Sequence, residues 1–159
     1  MINKKKMNKV LTLKNSMIVT LAKVLNYGMT FTQGRLRGRF FALLTPKEQE
    51  LDKNRLEICK KCSIKDDKGE PVMKNDVFTF APDSEVYKEL ADLFNEDCKI
   101  DFLPSMRSDI GGIKGLIELS TVILEPMEVA QVEAILEAFG NMQPSSSELE
   151  LPPLEPATV

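Results

Sequence analysis

Residues 9–28 read KVLTLKNSMIVTLAKVLNYG, and this stretch predicts a strand followed directly by a helix. Apolar and β-branched side chains dominate residues 9–13, which is typical of a short strand. Asn15 and the serine after it offer a helix N-cap, and the apolar residues that follow recur at helical spacing. Because Gly28 is placed to end the helix, we expect it to span about residues 16–27.

The following segment is basic and predicts two more helical stretches. Residues 33–44 have an apolar face, although their two glycines weaken a helix. Thr45 then resembles an N-cap, with Pro46 in the first turn and Glu48 completing a capping box. We expect that helix to continue to about Ser63, either as a kinked extension of the preceding helix or as a separate element at an angle to it.

The second half alternates between short strands and helices, and several connections are too short to be crossovers. The predicted elements are a turn over 66–71, strands over 72–73, 77–80, 98–103 and 116–124, a helix from about Pro82 to Phe94, a loop with three glycines over 104–115, and a helix opened by Glu125 and Pro126 and ended by Gly140.

This order predicts an α+β fold with a small, mostly antiparallel sheet and about five helices, because a doubly wound sheet needs longer connections. We expect a single domain over residues 9–140, since the chain of 159 residues has room for one ordinary core. A basic arm over residues 1–8 precedes it. A disordered, acidic, Pro/Ser-rich tail over residues 141–159 follows it.

Charge divides the chain into two halves of opposite sign. Residues 1–65 carry 15 Lys/Arg and 4 Asp/Glu, a net charge of +11, while residues 66–159 carry 6 and 20, a net charge of −14. The two halves could neutralise each other within the fold or between neighbouring copies of the chain, or the basic half could bind a polyanion.

The sequence contains no motif that predicts catalysis, a cofactor or a metal site. Histidine is absent, which removes the usual general base and the commonest metal ligand. Cys59 and Cys62 have the spacing of zinc and redox sites, but only Cys98 remains as a further Cys/His ligand, and the pair closes a helix rather than opening one. The glycines within 111–115 lack the phosphate-binding loop pattern. We therefore expect a protein that is not an enzyme.

The best candidates for a binding site are basic residues of the first half. Guanidinium groups suit phosphates, and neighbouring glycines allow close approach of a backbone. The alternative interpretation, which we favour, is that the arginines form ion pairs with the acidic half. The candidate residues are Arg35, Arg37, Arg39, Lys4, Lys5 and Lys6.

The run Gly34-Arg-Leu-Arg-Gly-Arg, the charged helix after it, the Asp67-Lys-Gly-Glu-Pro turn and the Ile100-Asp-Phe strand resemble a family of small, uncharacterised tailed-bacteriophage proteins of Gram-positive hosts. The resemblance covers about residues 9–139. It implies a phage context, with the host cytoplasm or the virion as location, and it supplies no mechanism.

We therefore expect a phage-encoded, non-catalytic protein-interaction module. Its partner would be another phage component, in a virion or assembly role, or a host protein such as a defence nuclease that it inhibits. Contacts between opposite-sign halves would also permit a homo-oligomer. The alternative is a nucleic-acid-binding accessory protein that uses the basic half. No apolar run is long enough for a membrane helix, and we predict neither a membrane partner nor a signal peptide.

Overall fold

A computed structural model shows the fold and describes residues 8–144. It confirms the predicted α+β class, with two small antiparallel sheets. In chain order the elements are β1 (Lys9–Lys14), α1 (Asn15–Val24), α2 (Phe31–Cys62), β2 (Met73–Lys74), β3 (Val77–Phe78), α3 (Val86–Asn95), β4 (Asp97–Phe102), α4 (Asp109–Glu118), α5 (Pro126–Gly140) and β5 (Gln143–Pro144).

The larger sheet has the strand order β4-β1-β5, with β1 antiparallel to both neighbours. Strand residues alternate between two faces, so one face is apolar and the other is charged. On the outer face, Lys14 forms a 2.7 Å ion pair with Asp97 directly across the ladder. The buried face carries Leu11, Leu13, Ile100 and Phe102 and packs against the helices.

Helix α2 is continuous over 32 residues, so of the two alternatives left open the two predicted stretches form one element, and the N-cap predicted at Thr45 is wrong. Its N-cap is Thr30, whose hydroxyl accepts from the Gln33 N–H while the Gln33 side chain accepts from the Thr30 N–H. Pro46 lies inside the helix, where proline costs about 3 kcal/mol. Buried side chains on both sides of it, Phe40 and Leu51 among them, offset that cost through packing. In residues 8–144 no helix, α2 included, is both long and apolar enough to cross a membrane.

Helix α4 begins within the loop that we predicted over 104–115 and ends within the strand that we predicted over 116–124, and residues 119–124 form no strand, so both predictions are wrong. Each glycine costs a helix roughly 1 kcal/mol relative to alanine. Ile113, Leu116 and Ile117 lie on one face and are buried, and each contributes about 1.5–3 kcal/mol. Burial of the three aliphatic side chains therefore outweighs the cost of the glycines.

Helix α1 is shorter than predicted. Asn15 does not cap it, because the Asn15 side chain instead donates to the Leu93 carbonyl at 2.8 Å. The helix ends at Val24, four residues before the predicted stop at Gly28.

A small hairpin extends from the C-terminal end of α2. The predicted turn over 66–71 is confirmed, with the Asp66 carboxylate accepting from the Lys68 and Glu70 N–H groups. The strands β2 and β3 that follow are joined by Asn75 and Asp76, both with positive φ, as a two-residue hairpin turn requires.

Three aromatic rings connect the layers of the core. Phe40 of α2 stacks on Phe102 of β4, with centroids 5.8 Å apart, and both contact Phe139 of α5, at 6.4 and 6.5 Å. Phe40 and Phe102 have no exposed surface. Helix α1 packs beside these rings through Ile18 and Leu21, which are also fully buried.

The glycines of α4 provide a test of how closely α4 packs against α2. A Cβ added at Gly115 meets nothing within 4 Å, whereas one added at Gly112 lies 2.7 Å from a terminal methyl carbon of Leu36. We expect Gly115→Ala to raise the free energy of unfolding by about 0.5–1 kcal/mol in urea titrations. Gly112→Ala should gain clearly less, because Leu36 must move. Equal gains would contradict the close approach of α2 and α4 at this point.

Candidate functional site

The end of helix α1 is closed by an arginine of helix α2. The Arg37 guanidinium donates to the main-chain carbonyls of Leu25 and Tyr27, both at 2.9 Å. These carbonyls lie just beyond α1, where orphan acceptors and the negative end of the helix dipole favour a cation. Arg37 therefore holds the start of α2 against the end of α1.

Helix α4 and its connection to α5 meet the same end of α1. The Tyr27 hydroxyl donates to the Leu116 carbonyl at 2.6 Å, and the Ser120 hydroxyl donates to the Val24 carbonyl at 2.6 Å. Burial raises the pKa of Tyr27 above its ordinary value, and the nearby charge of Arg37 opposes that rise.

The first two turns of α5 also contact α1 at this end. Lys23 forms a 2.8 Å ion pair with Glu128, and the Thr20 hydroxyl bonds to the Gln131 side chain. The ion pair and the Glu125 N–H both lower the pKa of Glu128. The termini of four helices, α1, α2, α4 and α5, thus lie together at one end of the molecule.

Large apolar side chains are exposed at this end. Phe31 begins α2, Leu119 follows α4, Ile123 lies in the connection, and Met127 is in the first turn of α5. Their exposed fractions are 81%, 63%, 91% and 74%. The Arg35 guanidinium lies 5.9 Å from the centre of the Phe31 ring. We call these four apolar residues, together with Arg35, the apolar end.

A second group of apolar side chains is exposed on the hairpin at the opposite end of α2. Because α2 rises 1.5 Å per residue, the two ends lie about 48 Å apart along its axis. No apolar side chain of the hairpin is more exposed than Leu119, the least exposed apolar residue of the apolar end, at 63%. The apolar side chains of this second group are Ile64, Val72, Met73 and Val77.

The three candidate arginines have different environments. Arg37 is committed to the carbonyls of α1, and Arg39 forms a two-pronged pair with Asp109, at 2.9 and 3.0 Å. Arg35 and Arg39 line a depression of about 330 Å³ that also contains Asp109, so a carboxylate already occupies the position that a phosphate would need. Arg35 alone faces solvent without an acidic partner in the part of the chain that is described. Lys4, Lys5 and Lys6 lie outside the described residues.

The opposite charges of the two halves meet within the fold. Of the five ion pairs in residues 8–144, four join a basic residue of the first half to an acidic residue of the second half. The pairs are Lys14–Asp97, Lys23–Glu128, Arg39–Asp109 and Lys61–Glu89.

The cysteine pair lies at the C-terminal end of α2, as predicted. Cys59 is buried, and the Cys62 thiol donates to Glu89 at 3.5 Å. Burial and then this hydrogen bond raise the pKa of Cys62, which disfavours the reactive thiolate. Burial likewise raises the pKa of Cys98. Across residues 8–144, no three His, Cys, Asp or Glu side chains are grouped so that they could hold a metal ion.

A groove of about 420 Å³ runs between α1, α2 and α3. Val19, Leu51 and Phe94 supply its apolar surface, and Arg55 lies along it. Desolvation raises the pKa of Glu48 at this groove above its ordinary value. Asp52 lines the same groove, and its carboxylate accepts hydrogen bonds from Arg55.

The apolar end could not be identified from the sequence. Ile123 and Leu119 fell in a segment predicted to be a strand, where alternate apolar residues would face a core. The one available signal was the position of Phe31, directly after the Thr30 cap and outside the apolar face of α2.

Substituting the arginines separates their roles. We expect Arg37→Ala to lower the free energy of unfolding by about 1–3 kcal/mol, because two partly buried carbonyls lose their donor. Arg35→Ala, the matched control on the same helix, should change it by less than about 0.5 kcal/mol. Urea titrations measure both, and a larger loss for Arg35→Ala would contradict this assignment.

Comparison with known proteins finds no similarity that would assign the chain to a family. No protein-family model, curated protein or solved structure matches it.

Proposed function

We propose that the protein is a phage-encoded, non-catalytic protein-interaction module that binds a protein partner through its apolar end. One observation carries the proposal. Of the six most exposed large apolar side chains in residues 8–144, four are those of the apolar end. The other two, Val77 and Tyr87, lie on the hairpin and on α3.

The chemistry of the apolar end supports a protein partner. Exposed apolar side chains that are gathered in one place mark interaction sites, whereas scattered ones need no explanation. Phenylalanine, methionine and arginine are enriched at protein interfaces, and burial of such anchors supplies most of the binding energy. Hydrogen bonds and an ion pair hold the surrounding helix termini in place, so little ordering is required on binding.

The biological setting rests on the sequence resemblance. A role in the virion or its assembly is the leading version, and inhibition of a host factor such as a defence nuclease is the other. The location would accordingly be the virion or the host cytoplasm.

Nucleic-acid binding is the competing outcome. It would use Arg35 and the lysines of the N-terminal arm, and its affinity would fall steeply with salt. The ion pair of Arg39 and the structural role of Arg37 reduce the basic surface available for it.

The experiment is affinity purification of the tagged full chain from cells in which the phage replicates, with nuclease treatment and at low and high salt. A discrete protein that survives both treatments, and that binds the purified chain in calorimetry, supports the proposal. Recovery of nucleic acid alone, lost at high salt, would overturn it.

Variants of the apolar end then test the surface itself. We expect Ile123→Glu and Phe31→Glu each to weaken binding of the identified partner at least tenfold, because each places a charge in an apolar contact. Tyr87→Glu is the matched control, since Tyr87 is similarly exposed but lies on α3. Circular dichroism checks that all three variants fold. Equal binding by all three would contradict the assignment.

A further inference from the structure

Strand β4 forms one edge of the larger sheet. In the part of the chain that the structure describes, strand β4 is the last strand on its side of the sheet, and β1 is the one strand that pairs with it. Such an edge presents a row of unpaired N–H and C=O groups, ready to pair with another strand. We propose that this edge pairs, antiparallel, with β4 of a second copy of this chain to form a two-fold symmetric dimer.

The direction of the main-chain groups follows from the ladder. The Asn15 N–H donates to the Glu96 carbonyl at 2.9 Å, and these two residues continue the register of β1 with β4. Hydrogen-bonded and non-bonded positions alternate along an antiparallel pair. The main-chain groups of the even-numbered residues of β4 therefore bond to β1. The N–H and C=O groups of Asp97, Lys99 and Asp101 point in the opposite direction, toward the outer edge of the sheet.

Only the odd-numbered residues have N–H and C=O groups at the outer edge. The hydrogen bonds between two copies must therefore join odd-numbered residues of one copy to odd-numbered residues of the other, which limits the possible registers. When Ile100 lies on the two-fold axis, Lys99 of each copy lies opposite Asp101 of the other. Two opposite-charge pairs then form between side chains that are exposed in the single chain. Directly opposed opposite charges stabilise a strand pair, and like charges destabilise it.

Neighbouring registers fit less well. When the two-fold axis lies on Lys99, Lys99 faces Lys99 and Asp97 faces Asp101. When the axis lies on Asp101, Asp101 faces Asp101. Both registers oppose like charges. Centring the axis on Cys98 would pair Asp97 with Lys99, but Asp101 would then face Asn95, which belongs to α3. The register centred on Ile100 is the one of these four that gives only opposite-charge pairs within β4, and Asp97 then lies opposite Leu103, which directly follows the strand.

The charges also explain why a copy of the same chain is the partner. A lysine in the middle of an edge strand normally discourages pairing with other strands. An identical strand in this register neutralises that lysine with Asp101, so the feature that excludes other partners favours self-association. Such a contact is self-complementary and closes at two copies. The edge is separate from the apolar end, so the inference does not rest on the proposed function.

Charge reversal tests the pairing. The mass of the full chain is measured by analytical ultracentrifugation over a range of concentrations. We expect a monomer–dimer equilibrium in which Lys99→Glu and Asp101→Lys each raise the dissociation constant at least tenfold. The double variant K99E/D101K restores the pairs with exchanged signs and should return within about threefold of the wild type. Lys88→Glu, an exposed lysine on α3, is the matched control.

Cross-linking tests the register in the same protein. In a Cys98→Ser background, the pair Asp97→Cys with Leu103→Cys places cysteines opposite each other across the axis, and mild oxidation should give a covalent dimer. The single variants Asp97→Cys and Leu103→Cys, in the same Cys98→Ser background, leave Lys99 and Asp101 intact and are the controls, because each places its cysteine opposite a residue that is not cysteine. A wild-type chain that stays monomeric at every concentration would overturn the proposal. Failure of the double charge reversal to restore the dimer, or equal cross-linking of the pair and of either single variant, would do the same.

Discussion

The contact among Phe40, Phe102 and Phe139 is the interaction on which the rest of the structure depends. It joins the longest helix, the edge strand of the sheet and the last helix at ring distances of 5.8–6.5 Å. Such aromatic pairs contribute about 0.5–1.5 kcal/mol beyond the burial of their area. Because β1 pairs with the strand that carries Phe102, the sheet and the helices are positioned by the same contact.

Local signals predicted most elements, and tertiary packing decided the rest. Strand β1 and helix α5 were found because their apolar spacing and the cap at Glu125 agree with their burial. The N-cap predicted at Thr45 and the loop predicted at the glycines of α4 were wrong because local propensity there opposes the observed helix. In both places buried aliphatic or aromatic side chains contribute more than the proline or the glycines cost.

The candidate site was likewise predicted from the sequence only in part. Pairing of the two halves within the fold was one of three alternatives that the charge asymmetry left open, and the ion pair of Arg39 with Asp109 illustrates it. It could not show that Arg37 would turn toward the carbonyls of α1, because that contact depends on how two helices meet. The exposure of Ile123 was also beyond the sequence, since an apolar residue is exposed or buried according to its neighbours in space rather than in the chain.

The molecule thus combines an aromatic core with an apolar end that residues 8–144 leave exposed, and the central claim is that a protein partner covers it. Hydrogen–deuterium exchange of the full chain, free and with its purified partner, tests this most directly. Slower exchange in residues 119–127 and in the first turn of α2, with the hairpin around Asn75 unchanged, is the predicted result. Slower exchange confined to the hairpin, or to the basic N-terminal arm, would contradict the claim.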